Sequence, residues 1–284
     1  MAVWGGALAA LHSPAQRLKR HRGLFVVVLL MKKMNEIKSN EIFARTAMLL
    51  GSEAMERLGG SKVAVFGLGG VGGSCAEALA RSGIGAIDLF DNDVVSPSNI
   101  NRQAVALHST IGRYKVDVMA ERIRDINPDC KVGVFKIFYM PENAGEVDLA
   151  VYDHIADAID TVAGKVELIA RAKAAGVKIV CAMGAGNRLD PMGFAVMDIY
   201  KTDTDPLARA VRKELRSRGV TDVKVVCSKE APAQNKVSQK DSKSETMRTV
   251  PIVLPASNAF VPPACGLVLT AEVVKGLITG TTGG

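Results

Sequence analysis

The chain alternates between two hydrophobic rhythms. Short continuous apolar runs are separated by longer stretches in which apolar positions return every three or four residues. The first kind reads as strands buried on both sides, and the second as helices with one buried face. Strands are predicted at 62–66, 86–90, 131–137, 177–182 and 194–200, with a further short apolar run at 149–152 ahead of Ala156 to Asp160. Helices are predicted at 40–58, 71–82, 112–126, 161–175, 206–218 and 264–278. The first is interrupted at Gly51-Ser52, where Ser52 is expected to cap the second piece. Asn127-Pro128 stops the helix at 112–126, and Gly176 stops the next. Strand following helix in this order predicts an α/β fold, a mainly parallel sheet with helices on both faces. The C-terminal part has a different texture, with an alternating strand at 194–200 and a polar loop at 228–249 rich in Lys, Ser and Gln.

Composition changes this picture little. The chain has 284 residues, 48% hydrophobic and 23% charged, enough for one large α/β domain. Aromatics at 5% argue against a stacking platform for single-stranded nucleic acid. The net charge of +7 is localised, because Arg17, Lys19, Arg20, Arg22, Lys32 and Lys33 precede the first acidic residue, leaving about +1 on the rest. Residues 1–33 hold one apolar run, Leu24 to Met31, far short of the roughly 20 residues that span a bilayer. No small-residue cleavage site follows it, so a basic extension is expected, disordered or not native, with Met31 or Met34 as the start. The apolar stretch 264–278 contains Glu272 and Lys275 and is expected to be a buried core helix, with no membrane partner. Five scattered cysteines with no C-x-x-C pair exclude a structural zinc site of that type and fit reduced thiols in a cytoplasm.

Candidate chemistry begins after the first strand, at Gly67-Leu68-Gly69-Gly70-Val71-Gly72. Glycines there let the backbone turn tightly toward a phosphate, and the following helix offers free N–H groups and a positive dipole end. Alone this motif leaves NAD, FAD and ATP open. Asp91, at the end of the second strand, is placed to hold a ribose. Beyond it lie Asn99, Arg102 and Gln103, and Lys115 follows at a helix start. Two cations near the phosphates are more than NAD needs and suit a nucleoside triphosphate. Asp160, after a later strand, is placed to hold a metal ion in the same crevice.

This ordered set, GLGGVG, D-x-D-x-V-x-x-S-N-x-x-R-Q, Gly112 to Lys115 and D-A-I-D, resembles the ubiquitin-activating-enzyme superfamily over about residues 41–190. The resemblance implies a Rossmann-like adenylating domain at 34–284, with a nucleotide-binding half at about 60–190 and a substrate-side half at about 191–284. It implies ATP and magnesium as cofactors. Gly67, Gly69, Gly70, Gly72, Asp91, Asn99 and Gln103 would bind the nucleotide. Arg102, Lys115 and Asp160 would be catalytic, with Asp160 on the metal. Arg45 would reach the triphosphate of the partner in a homodimer.

Asp205-Pro206-Leu207-Ala208, the segments Ala185 to Pro191 and Asp198 to Thr202, and Cys227 to Pro232 resemble the tRNA threonylcarbamoyladenosine dehydratases. That likeness implies cyclisation of the threonylcarbamoyl group on the adenosine next to the anticodon, driven by ATP. Arg209, Arg212, Lys213 and Arg216 of the basic helix would then contact tRNA, the alternative being a solvated face. Relatives also imply sulfur-relay protein partners. Adenylation of a ubiquitin-like sulfur carrier, NAD-dependent oxidoreduction and a non-catalytic scaffold stay open. The terminal Gly283-Gly284 resembles a carrier tail and is expected to be a frayed end.

Overall fold

The structure, a computed structural model, describes residues 41–233 and 256–279. The expectations for the basic extension, for 234–249 of the polar loop and for Gly283-Gly284 lie outside the described residues. The chain divides into two compact units, Met1–Arg45 and Thr46–Gly284. In chain order the helices are α1 (Ala44–Leu50), α2 (Ser52–Gly60), α3 (Gly70–Arg81), α4 (Lys115–Ile126), α5 (Val162–Ala174), α6 (Pro206–Ser217) and α7 (Val261–Ile278). The strands are β1 (Lys62–Phe66), β2 (Ala86–Phe90), β3 (Lys131–Phe135), β4 (His154–Asp157), β5 (Lys178–Ala182), β6 (Phe194–Asp198) and β7 (Lys224–Ser228).

The seven strands of the described residues form one sheet in the order β3-β2-β1-β4-β5-β7-β6, parallel except for the antiparallel β6–β7 pair. Side chains alternate across it as a strand requires. Val63 and Val65 of β1 enter the core shared with α3, α4 and α7, while Ala64 and Phe66 enter the core shared with α5 and α6. The α/β reading, with helices on both faces, is thereby met. Strand order reverses at β1, between β2 and β4, and this is where open α/β sheets place their ligand crevice.

Four local expectations are corrected. Ser52 does not cap α2: it is the first helical residue, and Gly51 sits between α1 and α2 at φ 85, where only glycine rests easily. The apolar run at 149–152 is a 3-10 turn, and the strand follows it at β4. Asp153 Oδ2 accepts the Lys62 N–H at 2.7 Å, and His154 then pairs with Val63, so β4 is set by register on β1 although His154 and Asp157 break its apolar pattern. The strand from 194 stops at Asp198, whose carboxylate accepts from Tyr200 N–H and turns the chain. Finally, β7 lies between β5 and β6 where no strand was expected. Its three apolar residues, Val225 to Cys227, sit among Lys224 and Ser228, too short a run to announce itself.

Helix α7 is long and apolar enough to cross a membrane by composition. Its face of Cys265, Leu269 and Val273 is instead buried in the core, as expected of a core helix. Gly266 lets it approach α3 closely: a Cβ there would stand 2.3 Å from the Val71 carbonyl oxygen.

Candidate active site

The turn after β1 is locked by its glycines. Gly67 has φ 84 and donates its N–H to the Phe90 carbonyl at 2.8 Å, tying β1 to β2. A Cβ on Gly72 would fall 1.8 Å from the Gly67 carbonyl oxygen, so α3 can start this close to the turn only with glycine there. Gly69 faces open space and Gly70 approaches Pro262 and Arg102. The first turn of α3 therefore presents backbone N–H groups to a cavity of about 490 Å³.

That cavity runs along the carboxyl ends of β3, β2, β1, β4 and β5. Four interstrand steps of about 4.8 Å give it a length of about 19 Å. Around it the structure gathers Gly67, Gly69, Gly70, Asp91, Asn99, Arg102, Gln103, Lys115 and Asp160. Gly72 supports the turn from behind. Arg45 lies in the other unit, exposed at the start of α1.

Asp91 anchors the β1–β2 side. Its Oδ2 accepts from Leu68 N–H at 2.6 Å and its Oδ1 from Asp93 N–H at 2.8 Å, leaving one acceptor site on each oxygen for a diol. Burial holds its carboxyl above the usual range, opposed by those two N–H donors and the Lys115 charge. Lys115 opens α4, where a cation is disfavoured by the helix dipole. It is held there by a 2.7 Å ion pair to Asp93. Asn99 Oδ1 accepts from Ser96 N–H, which directs the amide nitrogen outward as a donor. Arg102 Nη1 donates to the Ser98 carbonyl at 3.0 Å and to Asn101 Oδ1 at 2.9 Å. Gln103 is buried and its Oε1 has no hydrogen-bond partner.

Asp160 is exposed at the cavity edge, just after β4. Beneath it Asp157 and Lys165 form a fully buried ion pair at 2.7 Å, and Asp157 Oδ1 also accepts from Ile159 N–H. This pair fixes the 158–160 turn from below. Among the described residues no three His, Cys, Asp or Glu side chains cluster as a metal cage. A lone carboxylate beside a phosphate cradle fits magnesium, which takes few protein ligands and shares phosphate oxygens.

Several features around the cavity were invisible to sequence reasoning. The floor at the β3–β2 end is aromatic: Phe66 stacks on Phe90 at 4.2 Å, and Tyr139 meets Phe66 edge-on at 5.1 Å. Ile137, Phe138 and Tyr139 line this end and suit a planar base. Their signal was positional, since they follow β3 at the binding edge of the sheet. At the other end Arg188 and Asp205 form a buried ion pair at 2.6 Å. Arg188 Nε also holds the Gly184 carbonyl, and Asp205 Oδ1 caps α6 through Ala208 N–H. The basic helix itself is divided. Arg212 is half-buried and donates to the carbonyls of Ile199 and Thr202, and Arg216 lies over the Tyr200 ring. Arg209 and Lys213 are exposed. All five cysteines are buried. Burial pushes Cys130 and Cys227 up to about 11 and Cys75 to about 12, so these thiols are poor nucleophiles.

A family model described as "ThiF family" matches residues 43–281. The chain is 42% identical over 239 residues to the tRNA threonylcarbamoyladenosine dehydratase of Bacillus subtilis (strain 168), covering 83% of this chain and 94% of that one. It is 45% identical over 175 residues to the tRNA threonylcarbamoyladenosine dehydratase of Escherichia coli (strain K12), covering 62% of this chain and 65% of that one. Among solved structures, the E. coli tRNA N6-threonylcarbamoyladenosine dehydratase TcdA in complex with ATP aligns with TM-score 0.73 and 35% identity, over 84% of this chain and 95% of that one.

Proposed function

This chain belongs to the ThiF family, and from that premise we propose that it uses ATP to dehydrate and cyclise threonylcarbamoyladenosine in tRNA next to the anticodon. One observation carries the reading. One cavity at the sheet's reversal point is lined by the glycine turn, Asp91, Arg102 and Lys115, and extends toward β5. The relatives named above supply the substrate class.

The chemistry needs little more than positioning and charge. Expelling oxide from a carboxylate is prohibitive, so the threonyl carboxylate oxygen first attacks the α-phosphorus of ATP, and pyrophosphate leaves. Gly67–Gly70 and the N-terminus of α3 hold the phosphates while Arg102 and Lys115 neutralise the charge that builds on them. The carbamoyl nitrogen on the base then attacks the acyl carbon. That bond closes the ring, AMP departs with the former carboxylate oxygen, and the nitrogen's proton passes to solvent. Both reacting groups belong to one substituent, so the second step gains from proximity and needs no cysteine intermediate. Asp91 orients the ribose and Asn99 the phosphate chain. Magnesium, held by Asp160 and the triphosphate, would neutralise the leaving pyrophosphate.

The reading includes a homodimer, supported by the exposed Ile42, Met48 and Leu49 that flank Arg45 in the chain, apolar side chains that a second copy would cover. It places the enzyme in the cytoplasm, where five buried thiols stay reduced. The test is pyrophosphate release by purified protein supplied with ATP and magnesium. Release is expected only with tRNA carrying threonylcarbamoyladenosine. Release with a ubiquitin-like carrier protein and none with that tRNA would overturn the reading.

A further inference from the structure

Arg102 lines the cavity with its guanidinium already oriented. Its stem lies against the phosphate turn, since a Cβ on Gly70 would stand 3.4 Å from Arg102 Cγ. Beyond the stem, Nη1 donates to the Ser98 carbonyl at 3.0 Å and to Asn101 Oδ1 at 2.9 Å. Nε and Nη2 make no hydrogen bond among the described residues. These two nitrogens share one edge of the guanidinium, an edge that can grip a phosphate with two parallel bonds. Holding Nη1 fixes the plane of the group and leaves that edge for a ligand.

The two acceptors differ in what anchors them. Ser98 belongs to the same loop as Arg102, whereas Asn101 is tied to a distant part of the chain. Its Nδ2 donates to the Ser257 carbonyl at 3.1 Å. The segment it grips is itself pinned. Ala256 and Asn187 exchange bonds at 2.6 and 2.7 Å, and Asn258 Nδ2 holds the Arg188 carbonyl at 2.9 Å. Asn258 Oδ1 also accepts from Val261 N–H at the start of α7. An amide suits this place because it accepts from a cation on one side and donates to a carbonyl on the other. A carboxylate would meet the Ser257 carbonyl with no proton to give, and would set a negative charge beside the phosphates. Asn101 is exposed and does not line the cavity, so it touches neither the nucleotide nor the core.

We propose that Asn101 is a positioning residue for the activation step, one that braces the Arg102 guanidinium against the 256–258 segment and so presents its Nε–Nη2 edge to the phosphates of ATP. The inference rests on the ATP-binding part of the functional reading above. Without Asn101, Nη1 keeps only the Ser98 carbonyl, and a long side chain regains freedom that it must lose again when phosphate binds. The cation would still be present but no longer held in place, and misplacement of a charge-stabilising group is costly to the rate.

The test is a double-mutant cycle on the full-length protein. It is read by ATP dissociation constants from calorimetry and by kcat for pyrophosphate release with ATP, magnesium and modified tRNA. Asn101→Ala is expected to weaken ATP about fivefold, the scale of one hydrogen bond. It should lower kcat about tenfold, less than the loss of a preorganised donor outright. Adenosine, which brings no phosphate, should bind as before, and the melting temperature should hold because the residue is exposed. Asn101→Asp should fall below Asn101→Ala on both readouts, and Asn101→Gln should recover part of the loss. In an Arg102→Ala background, Asn101→Ala should weaken ATP no further. Wild-type kcat and ATP affinity in Asn101→Ala, an equal loss of adenosine affinity, or the same loss of ATP affinity with Arg102 already removed would each overturn the positioning role. Wild-type protein that binds no ATP would instead overturn the functional reading and this inference with it. Wild-type protein that binds ATP but releases no pyrophosphate with modified tRNA would overturn the substrate reading alone, and the cycle in ATP affinity would still decide the role of Asn101.

Discussion

Lys115 and Asp93 are joined by a 2.7 Å ion pair in which the lysine is 6% exposed and the aspartate 62%. The backbone repeats the link, with Lys115 N–H donating to the Asp93 carbonyl at 3.0 Å. The ammonium is thus preset at the cavity wall although a cation on a helix N-terminus is unfavourable. Lys115→Met is expected to lower kcat for pyrophosphate release about 10²- to 10³-fold, the scale of one preorganised transition-state donor. The melting temperature should change little, because Asp93 stays in water. A large fall in melting temperature with normal kcat would assign Lys115 to structure alone.

Asp160 lines the cavity, and among the described residues no three His, Cys, Asp or Glu side chains form a metal cage. Magnesium should therefore bind with the triphosphate and not before it. Calorimetry is expected to show no magnesium binding to the ATP-free protein. Asp160→Ala should abolish turnover, and melting should stay normal because the buried Asp157–Lys165 pair below is intact. Turnover at the wild-type rate would remove Asp160 from the metal.

Gly69 and Gly72 sit three residues apart and serve different ends. A Cβ on Gly69 meets nothing within 4 Å, whereas one on Gly72 meets the Gly67 carbonyl oxygen at 1.8 Å. Gly69→Ala should keep the fold and raise the ATP dissociation constant, because the methyl occupies space that phosphate needs. Gly72→Ala should destabilise the protein itself by about 2 kcal/mol or more. Denaturant midpoints measured with ATP affinity separate the two.

The contrast also marks what was legible in sequence. GLGGVG, Asp91, Arg102 and Lys115 announce themselves because close approach to phosphate demands particular residue types at fixed spacing. Strand β4 did not, because His154 and Asp157 are buried polar residues whose neighbours, Gly276 and Lys165, come from elsewhere in the chain. Strand β7 did not, because three apolar residues suffice between two neighbouring strands. Arg188 and Asp205 lie in two segments that carry the dehydratase resemblance, but nothing in the sequence pairs them, and only the fold buries them together. Arg212 misled in the other direction, looking exposed on a charged helix yet bound to carbonyls.

Stability should fall in mild acid because of His154. Burial, with Lys178 and Lys224 nearby, lowers its imidazole to about 4, against a backbone bond to Ile155 and the Glu272 charge that oppose the shift. The folded protein therefore keeps His154 neutral while the unfolded chain protonates it below its ordinary value near 6.5. The stabilisation is complete above that value and is lost as pH falls toward 4. Between about pH 7.5 and about pH 5 this one group should remove about 2 kcal/mol. Urea midpoints at the two pH values test it, with His154→Gln expected to flatten the difference. An unchanged slope in that variant would place the titration elsewhere.

Charge reversal on α6 should give two outcomes from one helix. Arg209 and Lys213 are exposed, whereas Arg212 donates to the Ile199 and Thr202 carbonyls and so fixes the turn before α6. The double variant Arg209→Glu and Lys213→Glu is expected to weaken tRNA binding, with ATP affinity and melting temperature unchanged. If each residue meets a phosphate, the slope of log affinity against log salt should fall by about 2, one for each phosphate no longer neutralised. Arg212→Glu is expected to lower the melting temperature, because it removes those hydrogen bonds and sets a carboxylate against carbonyl oxygens. Its weaker tRNA binding would then follow from a displaced helix and would appear together with weaker ATP binding, since Leu207 of the same helix lines the cavity. Binding measured by filter retention across a salt series, beside thermal melts of each variant, decides between the two. A double variant that binds tRNA as tightly as wild type would make this helix face a solvated surface.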